Sequence, residues 1–446
     1  MQQLGSEDAD LTVGIVHWAV PPTIGGVESH LADYIRLLHK TGVKVVMFSG
    51  EPDVDSELKE FAKFEYHPYL HLAGGGAVPK DSWWRVQVLS WWLKRKIHKH
   101  GVNIIHGHNL HNFSRVPATA INRVCAKRIE RHHSYHNYWD NALCAELVAS
   151  WEGQWANSEY VAGQCRIGYP ESRLEERLKV RYLGIDTDRF SCDRESFEGR
   201  NIRAEDPQSA PVILQPARLL RWKGPIHSVK MLKRLHEEGY CVRLELTATQ
   251  HLIDWDSERT TLRKELDELI GTLKLENWVT FLDWAHYRDM PDLYKQADIV
   301  INPSHEEPLG LVALEAMAAG RPVVVTNSGG MAETFTEGSG RLVVDDDDLV
   351  ESLFEAVRVF LDDPSEAIRS GVEGRDHVVR KFRMQTYAEE MIEAYKTSLA
   401  RKRPKAHRQR KGLPSSIPFV PQQSTGAEPQ PARPAEVVEA VSMAHM

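Results

Sequence analysis

A regular alternation of short apolar runs with helical segments is the feature that most constrains the fold. The first unit runs from the apolar strand Leu11–His17, through a loop with Gly25 and Gly26 and a helix, to a second strand at 43–48. Strand–helix–strand units build parallel sheets. A second series follows a polar, charged stretch at 193–210, which is typical of a linker. The pattern predicts an α/β protein with two doubly wound, Rossmann-like domains and an interdomain cleft at the carboxyl edges of their sheets.

Charge and composition exclude several classes of protein. The 446 residues include 55 Lys and Arg against 63 Asp and Glu, a net charge of −8. No overall positive field would therefore steer the chain to a nucleic acid. No apolar run reaches the ~18 residues that a membrane span needs, and the acidic N-terminal segment lacks a signal-peptide core. The five cysteines are scattered, which is typical of reduced thiols. We expect a cytoplasmic protein with no nucleic-acid partner.

The C-terminal segment at 402–446 differs in kind from the rest of the chain. A dense basic run at 401–411 is followed by a stretch rich in Pro, Gln, Ser and Ala. Its few apolar side chains cannot offset the entropy cost of ordering the backbone, so we predict a disordered tail. The basic run could contact anionic lipid or nucleic acid, but a solvated tail is the simpler interpretation.

Two glutamates flank the start of a helix in the second series. Glu307 lies just before a helix that we expect to begin near Leu309–Gly310, and Glu315 lies one to two turns into it. The first N–H groups of a helix are unsatisfied and carry partial positive charge, so an anion fits there. Gly310 would let a phosphate approach the backbone closely. Carboxylates beside such a helix start can accept hydrogen bonds from the hydroxyls of a sugar or ribose.

A basic loop at 216–224 follows the first strand of the same series and contains Arg218 and Lys223. The planar guanidinium and the compact ammonium can together neutralise a diphosphate. Alone, such a loop is more often an ordinary basic surface. Here its strand belongs to the same predicted sheet as the strand before Glu307, so both loops face one cleft.

Several motifs together resemble one family of enzymes. Glu307 and Glu315 form the pattern E-x7-E in the setting E-P-L-G-L-V-A-L-E-A-M-A-A-G-R-P-V-V, which resembles the donor-site signature of retaining GT-B glycosyltransferases of family 4. R-L-L-R-W-K-G resembles the Arg/Lys diphosphate site of that family, and I-G-G-V-E-S-H its N-terminal Gly-Gly loop. V-R-Y-L-G-I-D-T-D-R-F resembles its hinge, and F-R-M-Q-T-Y-A-E-E its last helix. The resemblance covers roughly residues 11–400.

The resemblance implies a diphosphate site built from side chains and backbone. Arg218 and Lys223 would bind the donor diphosphate and stabilise the charge on the departing phosphate. The backbone N–H groups of Gly310 and Leu311 would do the same from the helix start. Gly26 would allow the N-terminal domain to close onto the diphosphate.

The resemblance also implies contacts to the sugar and the ribose. Glu307 would contact hydroxyls of the donor sugar, and Glu315 those of the ribose. In this family a histidine after an N-terminal strand contacts the sugar near the reacting carbon; His132 and His133 are the candidates, and we select His133. The predicted catalytic residues are Glu307, His133, Arg218 and Lys223.

The family pattern further implies which segment of the chain binds the acceptor and which binds the donor. Residues 1–200 would form the acceptor-binding domain and 201–383 the nucleotide-sugar donor domain, with a helix at 384–401 crossing back to the first domain. The implied donor is a UDP- or GDP-linked sugar, and the implied reaction retains the anomeric configuration without a metal or other cofactor. The family often has a glycine-rich turn after the second C-terminal strand, and L-E-L-T-A-T lacks it. The sugar and the nucleotide base therefore stay open.

Other patterns point to alternatives that we consider weaker. A set of histidines on neighbouring strands could bind a metal, but no cysteine or carboxylate cluster accompanies them. This set comprises His106, His108, His111, His132, His133 and His136. Asp186 and Asp188 form a D-x-D triplet, which in other glycosyltransferases holds a divalent cation, but its setting resembles the hinge. The fingerprint G-x-G-x-x-G is absent, which argues against a dinucleotide dehydrogenase.

The acceptor belongs to the N-terminal domain, where the resemblance is weakest. Two Trp pairs, Trp83–Trp84 and Trp91–Trp92, can share one face of a helix, and a buried face is the simplest interpretation. The alternatives are an aromatic wall of the acceptor pocket, with Trp139 and Asp140 nearby, or a face that touches a membrane. We expect a small, soluble hydroxyl acceptor such as a sugar or aminocyclitol. Transfer to a polysaccharide or lipid, a GT-B epimerase or phosphorylase, and a non-catalytic nucleotide-sugar binder remain alternatives.

Overall fold

The part of the chain that the computed structural model describes is residues 11–23, 25–71, 83–112, 115–125, 129–138, 142–170, 174, 177–190, 202, 206–248, 256–282 and 286–400. The predicted tail, most of the predicted linker, and the proposed acceptor residues Trp139 and Asp140 lie outside these ranges. Both sheets belong to one unit that spans Met1–Leu399. Among the described helices, none is long and apolar enough to cross a lipid bilayer.

The N-terminal domain is a parallel sheet covered by helices. Its strands are β1 (Thr12–His17), β2 (Lys44–Ser49), β3 (Lys63–Tyr66), β4 (Ile104–His108), β5 (Glu130–Tyr135), β6 (Gly153–Ala156) and β7 (Lys179–Val180). Its helices are α1 (Gly26–Lys40), α2 (Leu58–Phe61), α3 (Trp83–His100), α4 (Arg115–Cys125), α5 (Ala142–Ala149) and α6 (Glu159–Gly168). The strand order is β3-β2-β1-β4-β5-β6-β7, and every pair is parallel. Every residue of β1 is buried, as expected for a strand between two helical layers.

The C-terminal domain repeats this plan. Its strands are β8 (Val212–Gln215), β9 (Arg243–Thr247), β10 (Val279–Leu282), β11 (Ile299–Asn302), β12 (Val323–Thr326) and β13 (Arg341–Val343). Its helices are α7 (Pro225–Glu237), α8 (Asp256–Leu273), α9 (Met290–Gln296), α10 (Leu311–Ala318), α11 (Leu349–Asp362), α12 (Pro364–Lys381) and the last helix α13 (Met384–Ala400). The order β10-β9-β8-β11-β12-β13 is again parallel throughout. The prediction of two Rossmann-like domains is confirmed.

Each sheet reverses its strand order at one point. In the first sheet the reversal lies between β1 and β4, and in the second between β8 and β11. Doubly wound sheets bind ligands outside the carboxyl ends of the strands at such a point. The loops after these four strands are therefore where a ligand site is expected.

The last helix lies against the N-terminal domain. The hydroxyl of Tyr395 on α13 lies 2.6 Å from Nδ1 of His106 and 3.0 Å from the hydroxyl of Tyr34. Just before α13, Arg383 forms a parallel bridge with Ile185. The chain thus passes from the C-terminal domain back onto β4 and α1.

The C-terminal domain also caps a helix of the N-terminal domain. The carboxylate of Glu333 accepts hydrogen bonds from the backbone N–H groups of Glu159 and Tyr160, both at 2.8 Å. Beside it, the hydroxyl of Ser158 donates to the carbonyl oxygen of Pro308 at 2.6 Å. These contacts join the start of α6 to the loops after β11 and β12.

Candidate functional site

The loops after β8 and β11 form the C-terminal side of the site. Gly224, at the end of the first loop, has a φ of +69°, and a Cβ there would lie 2.2 Å from the carbonyl oxygen of Pro303. Only glycine allows the two loops to approach this closely. The N–H of His305 then donates to the carbonyl oxygen of Trp222 at 2.8 Å. This contact aligns the basic loop with the loop that carries Glu307.

Lys223 and Glu307 meet where these loops touch. Lys223 Nζ lies 2.5 Å from Glu307 Oε2, and the two side chains are 13% and 14% exposed. A hydrogen bond also fixes the backbone of Glu307, because its carbonyl oxygen accepts the N–H of Gly330 at 2.8 Å. A partly shielded ion pair with a fixed backbone presents one cation and one carboxylate to the cleft.

Helix α10 begins next to this ion pair. It starts at Leu311, one residue later than predicted, and Gly310 precedes it with a φ of +95° and no side-chain cap. A residue with a side chain would be strained at this φ. The N–H groups of the first helical turn thus lack a capping side chain and carry the partial positive charge of the helix. This helix start can hold an anion.

The N-terminal domain touches the start of α10 through a glycine. A Cβ at Gly26 would lie 2.9 Å from Cδ1 of Leu311. Gly26 is the first residue of α1 and follows the loop after β1, so the two ligand-binding edges meet here. The sequence predicted both residues for the same ligand, and the structure brings them into contact.

Glu28 and His17 form a buried, hydrogen-bonded pair that the sequence analysis did not single out. His17 Nε2 lies 2.9 Å from Glu28 Oε1, and its Nδ1 lies 3.0 Å from the carbonyl oxygen of His108. Both ring nitrogens of His17 therefore lie within hydrogen-bond distance of oxygen atoms. Burial raises the pKa of Glu28, but the hydrogen bond and charge of His17, with the charge of Arg218, outweigh burial and lower it. Arg218 thus lies near this carboxylate. The sequence feature that could have pointed to Glu28 is its position two residues after the pair Gly25 and Gly26.

Glu315 lies in a different part of the cleft from Glu307. The hydroxyl of Tyr294 donates to its Oε2 at 2.8 Å. Burial raises the pKa of Glu315 to about 7, although the charge of Arg189 and the bond from Tyr294 act in the opposite direction. Arg189 is also paired with Asp33 of α1 at 3.1 Å. The two glutamates therefore have different partners and surroundings.

The prediction that His133 follows a strand is wrong. His133 lies inside β5, is fully buried, and its Nε2 accepts the N–H of Leu110 at 3.1 Å. Its ring packs edge-on against Tyr135 and Trp151. The alternative, His132, points to the other side of the strand, where its ring stacks on Trp155. Both residues therefore lie within β5 rather than after it.

His136 is the histidine that follows β5. Its Nε2 lies 2.9 Å from Nδ1 of His108, the last residue of β4. Nδ1 of His136 and Nε2 of His108 are buried and have no hydrogen-bond partner among the described residues. Burial lowers the pKa of both imidazoles, which keeps them neutral. In such a pair one orphaned nitrogen is a donor and the other an acceptor.

The Trp pairs of α3 do not form the expected buried face. Trp83, Trp84 and Trp91 are 75%, 52% and 62% exposed. Only Trp92 packs inward, against Phe48 and His67. The helix instead buries Leu89, Leu93 and Ile97.

The candidate metal ligands have other roles in the structure. Within the described ranges, no group of three or more His, Cys, Asp or Glu side chains is arranged to hold a metal ion. In the D-x-D triplet, Asp186 Oδ1 accepts the N–H groups of Asp188 and Arg189 at 3.2 Å each. Asp186 therefore caps a turn at the hinge.

Two family models match the two domains. The model described as Glycosyltransferase Family 4 matches residues 24–189, and the model described as Glycosyl transferases group 1 matches residues 200–377. Together they cover the strands β2 to β13, the basic loop with Lys223 and the start of α10. The chain belongs to the GT-B glycosyltransferases. The first match includes Gly26 and His136, and the second includes Arg218, Lys223 and both glutamates of the E-x7-E pattern.

Individual relatives of this glycosyltransferase agree with the two models. D-inositol 3-phosphate glycosyltransferase of Corynebacterium urealyticum is 30% identical over 54% of this chain and 55% of its own length. Glycogen synthase of Mycobacterium tuberculosis is 25% identical over 85% of this chain and 93% of its own. The chain spans only 35% to 63% of the length of the first five curated relatives.

Solved structures share the fold. A glycosyltransferase from Rickettsia africae superposes with a TM-score of 0.69 at 20% identity, covering 88% of this chain and all of the other. Anabaena HepE in complex with UDP-glucose superposes with a TM-score of 0.66 at 19% identity, covering 87% of this chain and all of HepE. At these identities the likeness concerns the GT-B architecture.

Proposed function

We propose that this glycosyltransferase moves a sugar from a UDP- or GDP-linked donor to a hydroxyl of a small acceptor, with retention of the anomeric configuration. The observation that carries the proposal is the meeting of three features at one point. These are the Lys223–Glu307 ion pair, the uncapped start of α10 at Gly310, and the contact of Gly26 with Leu311. A cation, a helix start and a carboxylate together suit a sugar diphosphate.

The positive groups would act on the leaving phosphate. As the bond between the anomeric carbon and the phosphate oxygen breaks, negative charge develops on that oxygen. Lys223, Arg218 and the N–H groups at the start of α10 would stabilise it. Because Arg218 lies near Glu28, its guanidinium would be oriented from the N-terminal side as the two domains enclose the diphosphate.

The carboxylates and histidines would hold the sugar and the ribose. Glu307, fixed by Lys223, would accept hydroxyl hydrogens of the donor sugar and offset positive charge on the ring. His136, which follows β5, would contact a further hydroxyl of the donor sugar and so take the role that the resemblance implied for His133. Glu315 would accept from the ribose. The acceptor oxygen would attack the face that the phosphate leaves, and its proton would pass to the departing phosphate oxygen.

The proposed reaction needs no metal, because protein cations and the helix start supply the positive charge. Treatment with EDTA should therefore leave the rate of sugar transfer unchanged. Loss of activity that only Mn²⁺ or Mg²⁺ restores would overturn this part of the proposal. Asp186 and Asp188 of the D-x-D triplet would then be the candidate ligands of that metal ion.

Relatives with two kinds of acceptor bear on the acceptor class. The name of the Corynebacterium relative refers to a small polyol phosphate, whereas that of the Mycobacterium relative refers to a polysaccharide. We favour a small acceptor and keep a polysaccharide or lipid as the second candidate. A panel of sugars, aminocyclitols, oligosaccharides and lipid-linked sugars would separate them. Turnover that depends on phosphate, or that needs no acceptor, would indicate a phosphorylase or an epimerase instead.

A thermal-shift screen over nucleoside diphosphate sugars tests the donor directly. A ligand that binds only the folded chain stabilises it by about 2.7 kcal/mol at a hundredfold excess over its Kd. One donor should raise the melting temperature of the wild type and much less that of Arg218→Ala. Lys230→Ala, which removes an exposed cation of α7, is the matched control and should respond like the wild type. If no nucleoside diphosphate sugar shifts the wild type, the proposal fails.

A further inference from the structure

The exposed side of helix α3 is an unusual surface for a helix that packs on a sheet. Trp84, Val88, Trp91 and Arg95 follow one another at helical spacing and share this side, with Trp83 at the start of the helix. The three Trp side chains are at least 52% exposed, and Val88 is 43% exposed. Large apolar side chains grouped in this way mark a contact surface more often than isolated ones do.

The charge of α3 is opposite to that of the whole chain. The helix contains five Lys and Arg residues and no Asp or Glu, while the chain as a whole carries a net charge of −8. Lys96 and Lys99 are paired with Glu65 of β3, which holds the second half of the helix against the sheet. Lys94 and Arg95 lie on the exposed side beside Trp91. The surface therefore combines bulky aromatic rings with positive charge.

The arrangement of the rings argues against a platform for stacking sugars. The guanidinium of Arg85 lies 5.2 Å from the ring centroid of Trp84, and that of Arg95 lies 5.0 Å from the ring of Trp91. A ring whose face is covered by a guanidinium presents less open surface to a sugar. Indole rings beside Arg and Lys are instead the side chains that accumulate at the boundary between lipid headgroups and acyl chains.

We propose that α3 docks this glycosyltransferase onto the surface of an anionic phospholipid bilayer. The Trp rings would enter the headgroup region, and Lys94 and Arg95 would contact lipid phosphates. An anionic bilayer is the proposed partner because its charge is opposite to that of α3. A helix without any carboxylate is attracted to an anionic leaflet even when the whole protein is acidic. The contact would be peripheral and reversible, since one helix face supplies it. It does not depend on the identity of donor or acceptor.

Vesicle co-sedimentation of the full chain tests this inference. The wild type should bind vesicles that contain phosphatidylglycerol and bind phosphatidylcholine vesicles much more weakly, and added salt should weaken binding. Trp84→Ser combined with Trp91→Ser, and separately Lys94→Glu combined with Arg95→Glu, should each reduce binding about tenfold or more. Because these residues are exposed, the melting temperature should stay that of the wild type. Acyl-brominated lipid should quench Trp fluorescence in the wild type and less in the double Trp variant.

Matched variants away from α3 complete the test. Val344→Ser removes an apolar side chain that is 61% exposed in the C-terminal domain, and Lys264→Glu reverses an exposed charge on α8. Both should bind vesicles like the wild type. Absence of wild-type binding to anionic vesicles, or an equal loss in these controls, would overturn the inference. So would a double Trp variant that keeps vesicle binding and instead loses self-association in light scattering or affinity for an oligosaccharide.

Discussion

Lys223 Nζ lies 2.5 Å from Glu307 Oε2, so the cation proposed for the diphosphate and the carboxylate proposed for the sugar are partners of each other. A bound donor would place its phosphate and its sugar on either side of this pair. Removing either side chain therefore also changes the other. A charge left without its partner in a partly buried site is costly, so these two residues are expected to act as a unit.

The first prediction concerns the diphosphate. Lys223→Ala and Arg218→Ala should each lower kcat/KM on the order of 30- to 1000-fold, about 2–4 kcal/mol, because a charge-assisted contact to the leaving phosphate is lost. Lys230→Ala should keep wild-type rates. Initial-rate kinetics with the donor found in the thermal-shift screen would measure this. Full activity in both variants would show that the diphosphate binds elsewhere.

The second prediction tests the contact between the domains. Gly26→Val should lower kcat/KM about 5- to 150-fold, because a Cβ there lies 2.9 Å from Leu311 Cδ1 and overpacking costs about 1–3 kcal/mol. Leu311→Ala shortens the opposing side chain and keeps the backbone N–H. In the Gly26→Val background it should recover part of the lost activity. If the effects of the two substitutions on kcat/KM simply add in a double-mutant cycle, the contact between Gly26 and Leu311 does not control activity.

Much of the fold could be predicted because the information is local. The strand β1 and the helices α1 and α10 each show their own apolar period, and a parallel order follows from their alternation. The end of β5 could not be placed, because the segment from Glu130 to His136 contains no Gly, Pro, Asn or Asp to mark a turn. The sequence analysis therefore selected His133, which lies inside the strand, and missed His136, which follows it.

Contacts between residues that are far apart in the sequence are the other feature that could not be predicted. Helical spacing shows which Trp side chains of α3 share a face, but not whether another element covers that face. The His17–Glu28 pair joins a strand end to a helix, and its proximity to Arg218 depends on the position of the second domain. A local pattern contains none of these distances.

The third prediction concerns acid. Burial lowers the pKa of His30 and His111 to about 4, and burial with neighbouring imidazoles also lowers that of His106, His108, His133 and His136. Below about pH 6.5 the unfolded chain takes up protons that the folded chain refuses, so each such histidine removes about 1.4 kcal/mol per pH unit. The melting temperature should fall steeply from pH 6.5 towards pH 4.

Two carboxyl groups act in the opposite sense. Burial raises the pKa of Asp33 to about 6 and that of Glu315 to about 7, so they favour the folded state as the pH falls. Because six histidines oppose two carboxyls, a net loss of stability in acid is expected. His30→Gln should flatten the pH profile, and exposed His39→Gln should not. A melting temperature that is constant from pH 6.5 to pH 4.5 would contradict the prediction.

The fourth prediction follows from the raised pKa of Glu315. If its carboxylate accepts hydrogen bonds from the ribose, donor affinity should rise between pH 6 and pH 8 as a group with a pKa of about 7 ionises. Glu315→Gln should bind more weakly at pH 8 and show little pH dependence. Calorimetry with an intact nucleoside diphosphate sugar avoids titration of a terminal phosphate. Parallel profiles in both proteins would assign the pH dependence to another group.

The fifth prediction separates the two glutamates by what each one binds. Glu307→Gln keeps the size of the side chain but removes the charge next to Lys223 and the sugar, so kcat should fall steeply while the bare nucleoside diphosphate still binds. Glu315→Gln should weaken that binding, because its proposed partner is the ribose. Only contacts that strengthen in the transition state appear in kcat, which is why the two losses should separate. If Glu307→Gln loses nucleotide affinity and Glu315→Gln loses only kcat, the assignment is reversed.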